Sequence, residues 1–215
     1  MQVLIVAGVG GSGDGHWQTW LEQQLSAINP SAVSRVIQEW HRPIFRVWRD
    51  QVIAALTAIE DQVLLVAHSF GCLVSAGVLL AAPELHHKIA GVLMVAPANP
   101  QRFSRDGLQG MCQYGEEDLV ETLNHPLPSN LPIMLWASQN DPWLSLAQAK
   151  YWAKTWGADL HNLGDVGHVN IASGFGAWPT VLTQVRMWPV PFFVMHRRKR
   201  QQPRKTDSSI LPPTG

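Results

Sequence analysis

Short, unbroken apolar runs alternate along this chain with segments whose apolar residues recur at helical spacing. An apolar run bounded by turn residues is typical of a strand that is buried on both faces of a parallel sheet. The predicted strands are residues 2–7, 32–38, 63–66, 89–95, 132–137 and 158–163.

Between these runs, apolar residues return every three or four positions, as they do on one face of an amphipathic helix. In the second predicted helix we expect Val47, Val52 and Leu56 to face inward. Strand and helix alternate about six times, which predicts an α/β fold with a mostly parallel sheet and helices on both faces. The predicted helices are residues 17–28, 45–59, 72–82, 144–156 and 176–187.

Two stretches depart from this rhythm. Residues 97–130 are rich in glycine, proline and charge, and we expect a small cap over the site with one short helix at 116–123. Prolines interrupt the pattern after residue 188, so we predict one domain over 1–188 and a largely disordered tail over 189–215. The basic residues of the tail leave the body mildly acidic, and they are Arg197, Arg198, Lys199, Arg200, Arg204 and Lys205.

Composition narrows the class of protein. The chain has 215 residues, of which 46% are hydrophobic and 15% charged, with a formal net charge of zero, and this suits one packed domain. Cys72 and Cys112 are the only cysteines, so no disulfide framework is expected. We find neither a signal-peptide pattern nor a run long enough for a membrane span, and we expect a cytoplasmic protein without a specific nucleic-acid partner. The sequence leaves the oligomeric state open.

Ser69 stands at the corner between a predicted strand and a predicted helix. This is the context of a nucleophile elbow, in which a serine hydroxyl is exposed on a strained turn and small residues flank it. Gly71 meets that need, and Ala67 stands where the usual G-x-S-x-G pattern has its first glycine. The amide of Phe70 would then face a developing oxyanion. The alternative is an ordinary helix N-cap, a role that serine often takes.

A glycine-rich segment, Gly8–Gly13, follows the first strand and fits the dinucleotide fingerprint G-x-G-x-x-G. The fingerprint needs a helix packed at its last glycine, but Gly15, His16 and Trp17 stand there instead. Glycines also allow a backbone to approach a substrate and to aim an amide at an oxyanion. We therefore favour an oxyanion loop, with the amide of Val9 or Gly10 as donor.

Asp141 and His168 each follow a predicted strand, as Ser69 does. The carboxyl ends of parallel strands lie at one edge of the sheet, where ligands bind. A serine becomes nucleophilic when an imidazole accepts its proton, and a carboxylate fixes the tautomer of that imidazole. Asp165 is a second candidate acid, but it shares the loop of His168, and we expect the acid to come from a different strand.

Four short motifs resemble the YdeN-like and retinoblastoma-binding protein 9 family of serine hydrolases. The histidine loop of that family, G-H-x-N followed by small residues and W-P, is matched by Gly167–Asn170 and Trp178-Pro179. The acid motif is matched by residues 140–143, the elbow by residues 68–71, and the glycine-rich loop before H-W by residues 8–17. The resemblance covers roughly residues 2–188.

This resemblance implies a compact α/β-hydrolase fold and a triad of Ser69, Asp141 and His168. It implies hydrolysis of small ester or amide substrates without a cofactor or a metal, and we expect contacts to the substrate from His16, Trp17 and Trp143. The retinoblastoma-binding motif L-x-C-x-E is absent, so that partner is not implied. The alternative functions are a non-catalytic hydrolase-like binding protein and a dinucleotide-binding protein that uses Gly8–Gly13.

Overall fold

Residues 1–104, 107–108 and 118–189, which the computed structural model describes, contain eight strands. They are β1 (Gln2–Val6), β2 (Val33–Arg35), β3 (Val63–His68), β4 (Ile89–Val95), β5 (Phe103–Ser104), β6 (Gly107–Leu108), β7 (Ile133–Ala137) and β8 (Asp159–Asn162). β5 and β6 form a short antiparallel pair, and the other six strands form one sheet.

The large sheet has the strand order β2-β1-β3-β4-β7-β8, and every neighbouring pair in it is parallel. This confirms the predicted α/β fold class with six parallel strands. Because the strands run in one direction, the residues that follow β1, β3, β7 and β8 all emerge at the same edge of the sheet.

Helices cover both faces of the sheet. The described residues form α1 (Trp17–Ser26), α2 (Phe45–Ala58), α3 (Phe70–Ala81), α4 (Leu119–Leu123), α5 (Leu146–Trp156) and α6 (Pro179–Arg186). Leu4 and Leu65 pack in one apolar cluster with α2, α3 and α5. Successive strand residues point to opposite faces, and on the other face Trp178 bridges Trp17 of α1 and Trp136 of β7 at ring distances of 5.5 and 5.4 Å.

The buried stripe of α2 differs from the predicted one by one residue. Phe45, Trp48, Val52 and Leu56 are buried, whereas Val47 is 39% exposed. The spacing of three, four and four residues is that of one helical face, and Val47 lies about 100° away from Trp48 on the helix. The prediction that Val47 faces inward is therefore wrong.

The predicted cap and tail lie partly outside the described residues. Phe103 stacks on Phe70 with ring centroids 4.4 Å apart, so the start of the segment does cover the elbow. α4 begins at Leu119 in place of the predicted residue 116, and residues 105–106 and 109–117 are not described. The tail beyond residue 189 is not described either.

Contacts within the chain divide it after Pro179, so that most of α6 belongs to a second unit. The domain boundary at residue 188 stays a prediction. None of the helices in the described parts of the chain has the length and apolar character needed to cross a bilayer.

Candidate active site

Ser69 lies between the end of β3 and the start of α3, with φ 54° and ψ −122°. A positive φ is unfavourable for a residue with a Cβ atom, and such strain is concentrated at functional sites. The amide of Ser69 donates to the carbonyl oxygen of Val95 at 3.1 Å, which holds the turn against β4. The serine hydroxyl makes no capping bond to the described amides of α3, so the N-cap alternative does not describe it.

Two glycines allow the backbone to close tightly around this turn. A Cβ atom added to Gly71 would lie 2.6 Å from the carbonyl oxygen of Ala7, and one added to Gly8 would lie 2.8 Å from Cβ of Ser69. Real Cβ atoms do not approach that closely, so α3 and the first loop reach these positions only because glycine is present. The small residue expected at position 71 thus has a steric cause.

His168 contacts both Ser69 and Asp141. Its Nε2 lies 2.8 Å from Oγ of Ser69, and its Nδ1 lies 3.0 and 2.9 Å from the two carboxylate oxygens of Asp141. A carboxylate only accepts, so Nδ1 carries the proton, and Nε2 of the neutral ring is free to accept from the serine hydroxyl. Asp141 and His168 are both 8% exposed, which shields the pair from water.

The loops that carry the acid and the histidine are joined to each other. Oδ1 of Asn140 accepts from the amide of Gly167 at 2.7 Å, next to His168. The carboxylate of Asp141 also accepts from the amide of Trp143 at 2.8 Å, which fixes its orientation. Asp165, the alternative acid, is exposed. The structure thus brings Asp141, rather than Asp165, to the imidazole.

A cavity of about 450 Å³ opens beside Ser69 and His168. Val9, Gly10, His16 and Ile171 contribute to its wall. None of the described residues that line it is Asp, Glu, Lys or Arg. The cavity is therefore suited to an uncharged ligand of modest size.

Two backbone amides beside the cavity are available to an oxyanion. The amides of Phe70 and Val9 donate to no acceptor among the described residues. The amide of Gly10 donates to the carbonyl oxygen of Trp40 at 2.8 Å. The prediction that the amide of Gly10 is an oxyanion donor is therefore wrong, whereas the amide of Val9, the other predicted loop donor, has no acceptor among the described residues.

His16, Trp17 and Trp143, the three residues expected to contact substrate, lie in different environments. His16 lines the cavity, and its Nδ1 accepts from the amide of Gln18 at 3.1 Å as the N-cap of α1. Burial, aided by the charge of Arg35, lowers the pKa of His16 from 6.5 to about 4. Its ring is therefore neutral near pH 7, with the proton on Nε2.

Trp17 and Trp143 differ in their exposure to solvent. Trp17 is fully buried, packed edge-on against Trp178, so its predicted contact with substrate is wrong. Trp143 is 44% exposed, and its ring lies 5.9 Å from that of His168. The guanidinium of Arg102 lies 4.5 Å above the same indole.

Sequence reasoning missed the residues that hold the glycine loop. Gln18 is fully buried; its Nε2 donates to the carbonyl oxygens of Val6 and Val66 at 3.3 and 3.1 Å. Its Oε1 accepts from Oγ of Ser12 at 2.6 Å. Arg35 donates to the carbonyl oxygen of Ser12 at 3.1 Å. The signal that could have revealed this role is Gln18 itself, a polar residue on the side of a predicted helix that faces the core.

The dinucleotide alternative is not supported by this loop. The amides of Gly10 and Gly11 donate to the carbonyl oxygens of Trp40 and Gly8, and the imidazole of His16 occupies the N-terminus of α1. A pyrophosphate site needs such amides to be free. In the described residues, no group of three or more His, Cys, Asp or Glu side chains is arranged to hold a metal ion.

Comparisons with known proteins agree with this geometry. A family model described as "Serine hydrolase" matches residues 3–187. The YdeN protein of Bacillus subtilis (strain 168) is 24% identical over 184 residues, which are 84% of this chain and 92% of that protein. Its crystal structure, at 22% identity, aligns with a TM-score of 0.59 over 86% of this chain and 96% of that one.

A crystal structure of a YdeN-like protein from Pectobacterium atrosepticum SCRI1043 aligns with a TM-score of 0.69 at 31% identity. The alignment covers 86% of this chain and 88% of that one. The family match extends over most of the chain and includes the predicted elbow, acid loop and histidine loop. The chain belongs to the serine hydrolase family, as a YdeN-like member of the α/β-hydrolase superfamily.

Proposed function

We propose that this protein hydrolyses small, uncharged esters or amides through an acyl-enzyme on Ser69. The observation that carries the proposal is the continuous set of contacts from Oγ of Ser69 through His168 to Asp141, with distances of 2.8 and 2.9 Å. Membership of the serine hydrolase family supports hydrolase activity in general.

In the first step, Nε2 of His168 accepts the hydroxyl proton while Oγ of Ser69 attacks the substrate carbonyl. Asp141 keeps the imidazole in the required tautomer and stabilises the imidazolium that forms. The imidazolium then gives its proton to the leaving alcohol or amine, and the acyl group remains on Oγ. In the second step, Nε2 of His168 accepts a proton from water while the water oxygen attacks the acyl carbonyl. The imidazolium returns this proton to Oγ of Ser69, and the carboxylic acid leaves.

The tetrahedral intermediates carry an oxyanion, which the free amides of Phe70 and Val9 would stabilise. Donors of this kind are fixed by the backbone before the reaction, so they need no reorganisation when charge develops. Removal of one such donor in comparable enzymes lowers kcat by about 10²–10³-fold.

The uncharged wall of the cavity supports a neutral substrate, and its rim favours an apolar acyl group. Val9 and Ile171 are 40% and 53% exposed at the cavity, which suits contact with aliphatic carbons. His16 would donate from Nε2 to a polar atom of the substrate, and Trp143, whose ring lies 5.9 Å from that of His168, would contact the substrate from that side.

A non-catalytic binding protein is the alternative. A binding module has no need of a strained serine whose hydroxyl meets a carboxylate-oriented imidazole, so the geometry favours the enzyme.

The test is labelling with a fluorophosphonate probe, together with turnover of a p-nitrophenyl ester of a short fatty acid. We expect Ser69→Ala to abolish labelling and to lower kcat by about 10⁴-fold or more. Ser31→Ala, an exposed serine remote from the loops of the site, is the matched control and should behave as wild type. Labelling of Ser69→Ala at another serine, or unchanged turnover, would refute the assignment.

A further inference from the structure

The residue before the nucleophile contacts the main chain of the histidine loop. His68 ends β3 and is 4% exposed, and its Nε2 lies 2.9 Å from the carbonyl oxygen of His168. A carbonyl oxygen only accepts, so Nε2 of His68 carries a proton and donates it. The bond joins residues that are 100 positions apart.

The ring of His68 is held on several sides. Its centroid lies 5.0 Å from the rings of both His16 and His168, and Trp17 approaches it edge-on at 5.9 Å. Burial is the main cause that lowers the pKa of His68 well below 6.5, so the ring is neutral near pH 7. The donor therefore has one tautomer and one position.

The backbone on either side of His168 is unusual. Gly167 has φ 62°, and Val169, a β-branched residue that is fully buried, has φ 50°. Such a conformation persists only where surrounding contacts enforce it. Among the described residues, the donor that meets the carbonyl oxygen of His168 is Nε2 of His68.

We propose that His68 is a positioning residue, whose bond to the carbonyl oxygen of His168 keeps the imidazole of His168 at hydrogen-bond distance from Ser69. Asp141 fixes the ring of His168 through Nδ1, and His68 fixes the main chain that carries the ring. Because Ser69 follows His68 directly, the nucleophile is covalently adjacent to the residue that holds the main chain of its base, His168. This inference rests on the proposed function.

Three variants separate hydrogen bonding from packing. Leu fills the buried space without a donor, Gln places an amide nitrogen near the position of Nε2, and Asn is too short to reach the carbonyl. We expect His68→Leu to lower kcat by about 10- to 100-fold, as a displacement of about 1 Å does, with KM nearly unchanged. His68→Gln should recover most of that loss, whereas His68→Asn should not.

Equal losses in the Gln and Leu variants would overturn the proposal, as would a folded Leu variant with wild-type kcat. If the Leu variant fails to fold, as judged by circular dichroism, the comparison of Gln with Asn decides, and equal kcat values overturn the proposal.

A second measurement does not depend on turnover. The proton on Nδ1 of His168 faces a carboxylate, so it should give a downfield ¹H NMR signal that Asp141→Asn removes. We expect this signal to broaden or shift in His68→Leu and to return in His68→Gln. An unchanged signal in His68→Leu would contradict the positioning role. If Ser69→Ala kept full activity while this signal behaved as expected, the proposed function would fail and the positioning of His168 would stand.

Discussion

Nδ1 of His168 lies within hydrogen-bond distance of both carboxylate oxygens of Asp141, a residue 27 positions earlier in the chain. The two residues follow β7 and β8, which are neighbours in the sheet. The contact therefore requires no long excursion of either loop, and it gives the imidazole a single orientation.

This contact predicts different outcomes for two aspartates. Asp141→Asn should lower kcat by about 10⁴-fold, because an amide neither enforces the required tautomer nor stabilises the imidazolium. Asp165→Asn, an exposed change on the histidine loop, is the matched control and should leave kcat near the wild-type value. Steady-state kinetics on one ester checks both, and a large loss confined to Asp165→Asn would show that Asp165 is the acid.

The close approach of α3 to the end of β1 predicts a loss of stability in Gly71→Ala. The new Cβ would meet the carbonyl oxygens of Val6 and Ala7, so backbone would have to move. Overpacking of this kind costs about 1–3 kcal/mol, and the gain in helix propensity, at most ~1 kcal/mol, opposes it only in part. Gly13→Ala, where the added methyl group meets nothing within 4 Å, should leave the free energy of unfolding nearly unchanged in urea titrations. Equal stability of both variants would contradict this explanation.

The buried imidazole of His16 predicts a dependence of stability on pH. Its pKa is about 4 in the folded protein and near 6.5 when exposed, so between these values the unfolded chain binds more protons. The contribution of His16 is complete above pH 6.5, and it is lost at about 1.4 kcal/mol per pH unit as the pH falls toward 4.

The matched comparison for this effect is His16→Asn against His41→Asn, a change of the same kind at an exposed histidine. Asparagine is also a good N-cap, so the first variant keeps a cap on α1 while it removes the titration. We expect a shallower fall in the free energy of unfolding between pH 6.5 and 4 for His16→Asn only. Burial also lowers the pKa of His68, so the pH dependence of stability that His68 contributes remains in both variants. Parallel curves for wild type and His16→Asn would contradict the assignment.

The occupied amides of the glycine loop predict that NAD and NADP do not bind. Gly10 and Gly11 already donate within the protein, so a pyrophosphate would find few free donors there. Isothermal titration calorimetry should give no heat of binding up to high micromolar cofactor. Saturable binding that Gly11→Ala weakens would restore the dinucleotide interpretation.

The fold and the positions of Ser69, Asp141 and His168 were predictable because each has a local signature. An apolar run followed by turn residues marks the end of a buried strand, and parallel strands bring such ends together. The roles of these residues stay proposals until the variants are measured.

The supporting contacts were not predictable, because they depend on partners far along the chain. The carbonyl oxygen that meets His68 belongs to residue 168, and the amide of Gly10 donates to the carbonyl oxygen of Trp40, which lies 30 positions further along the chain. Likewise, Trp17 and Trp143 each stand next to a glycine-rich or polar loop in the sequence. Only the packing of the folded chain buries Trp17 and leaves Trp143 exposed.

The strand order has a consequence for protein synthesis. Ser69 follows a strand in the middle of the sheet, whereas His168 follows β8 at its edge, and among the described strands β8 is the last to leave the ribosome. A nascent chain that has formed β1 to β4 already holds the elbow, but it still lacks the base. On the proposed mechanism, the enzyme therefore stays inactive until β8 has docked, and the onset of ester hydrolysis during translation would report the moment at which β8 joins the sheet.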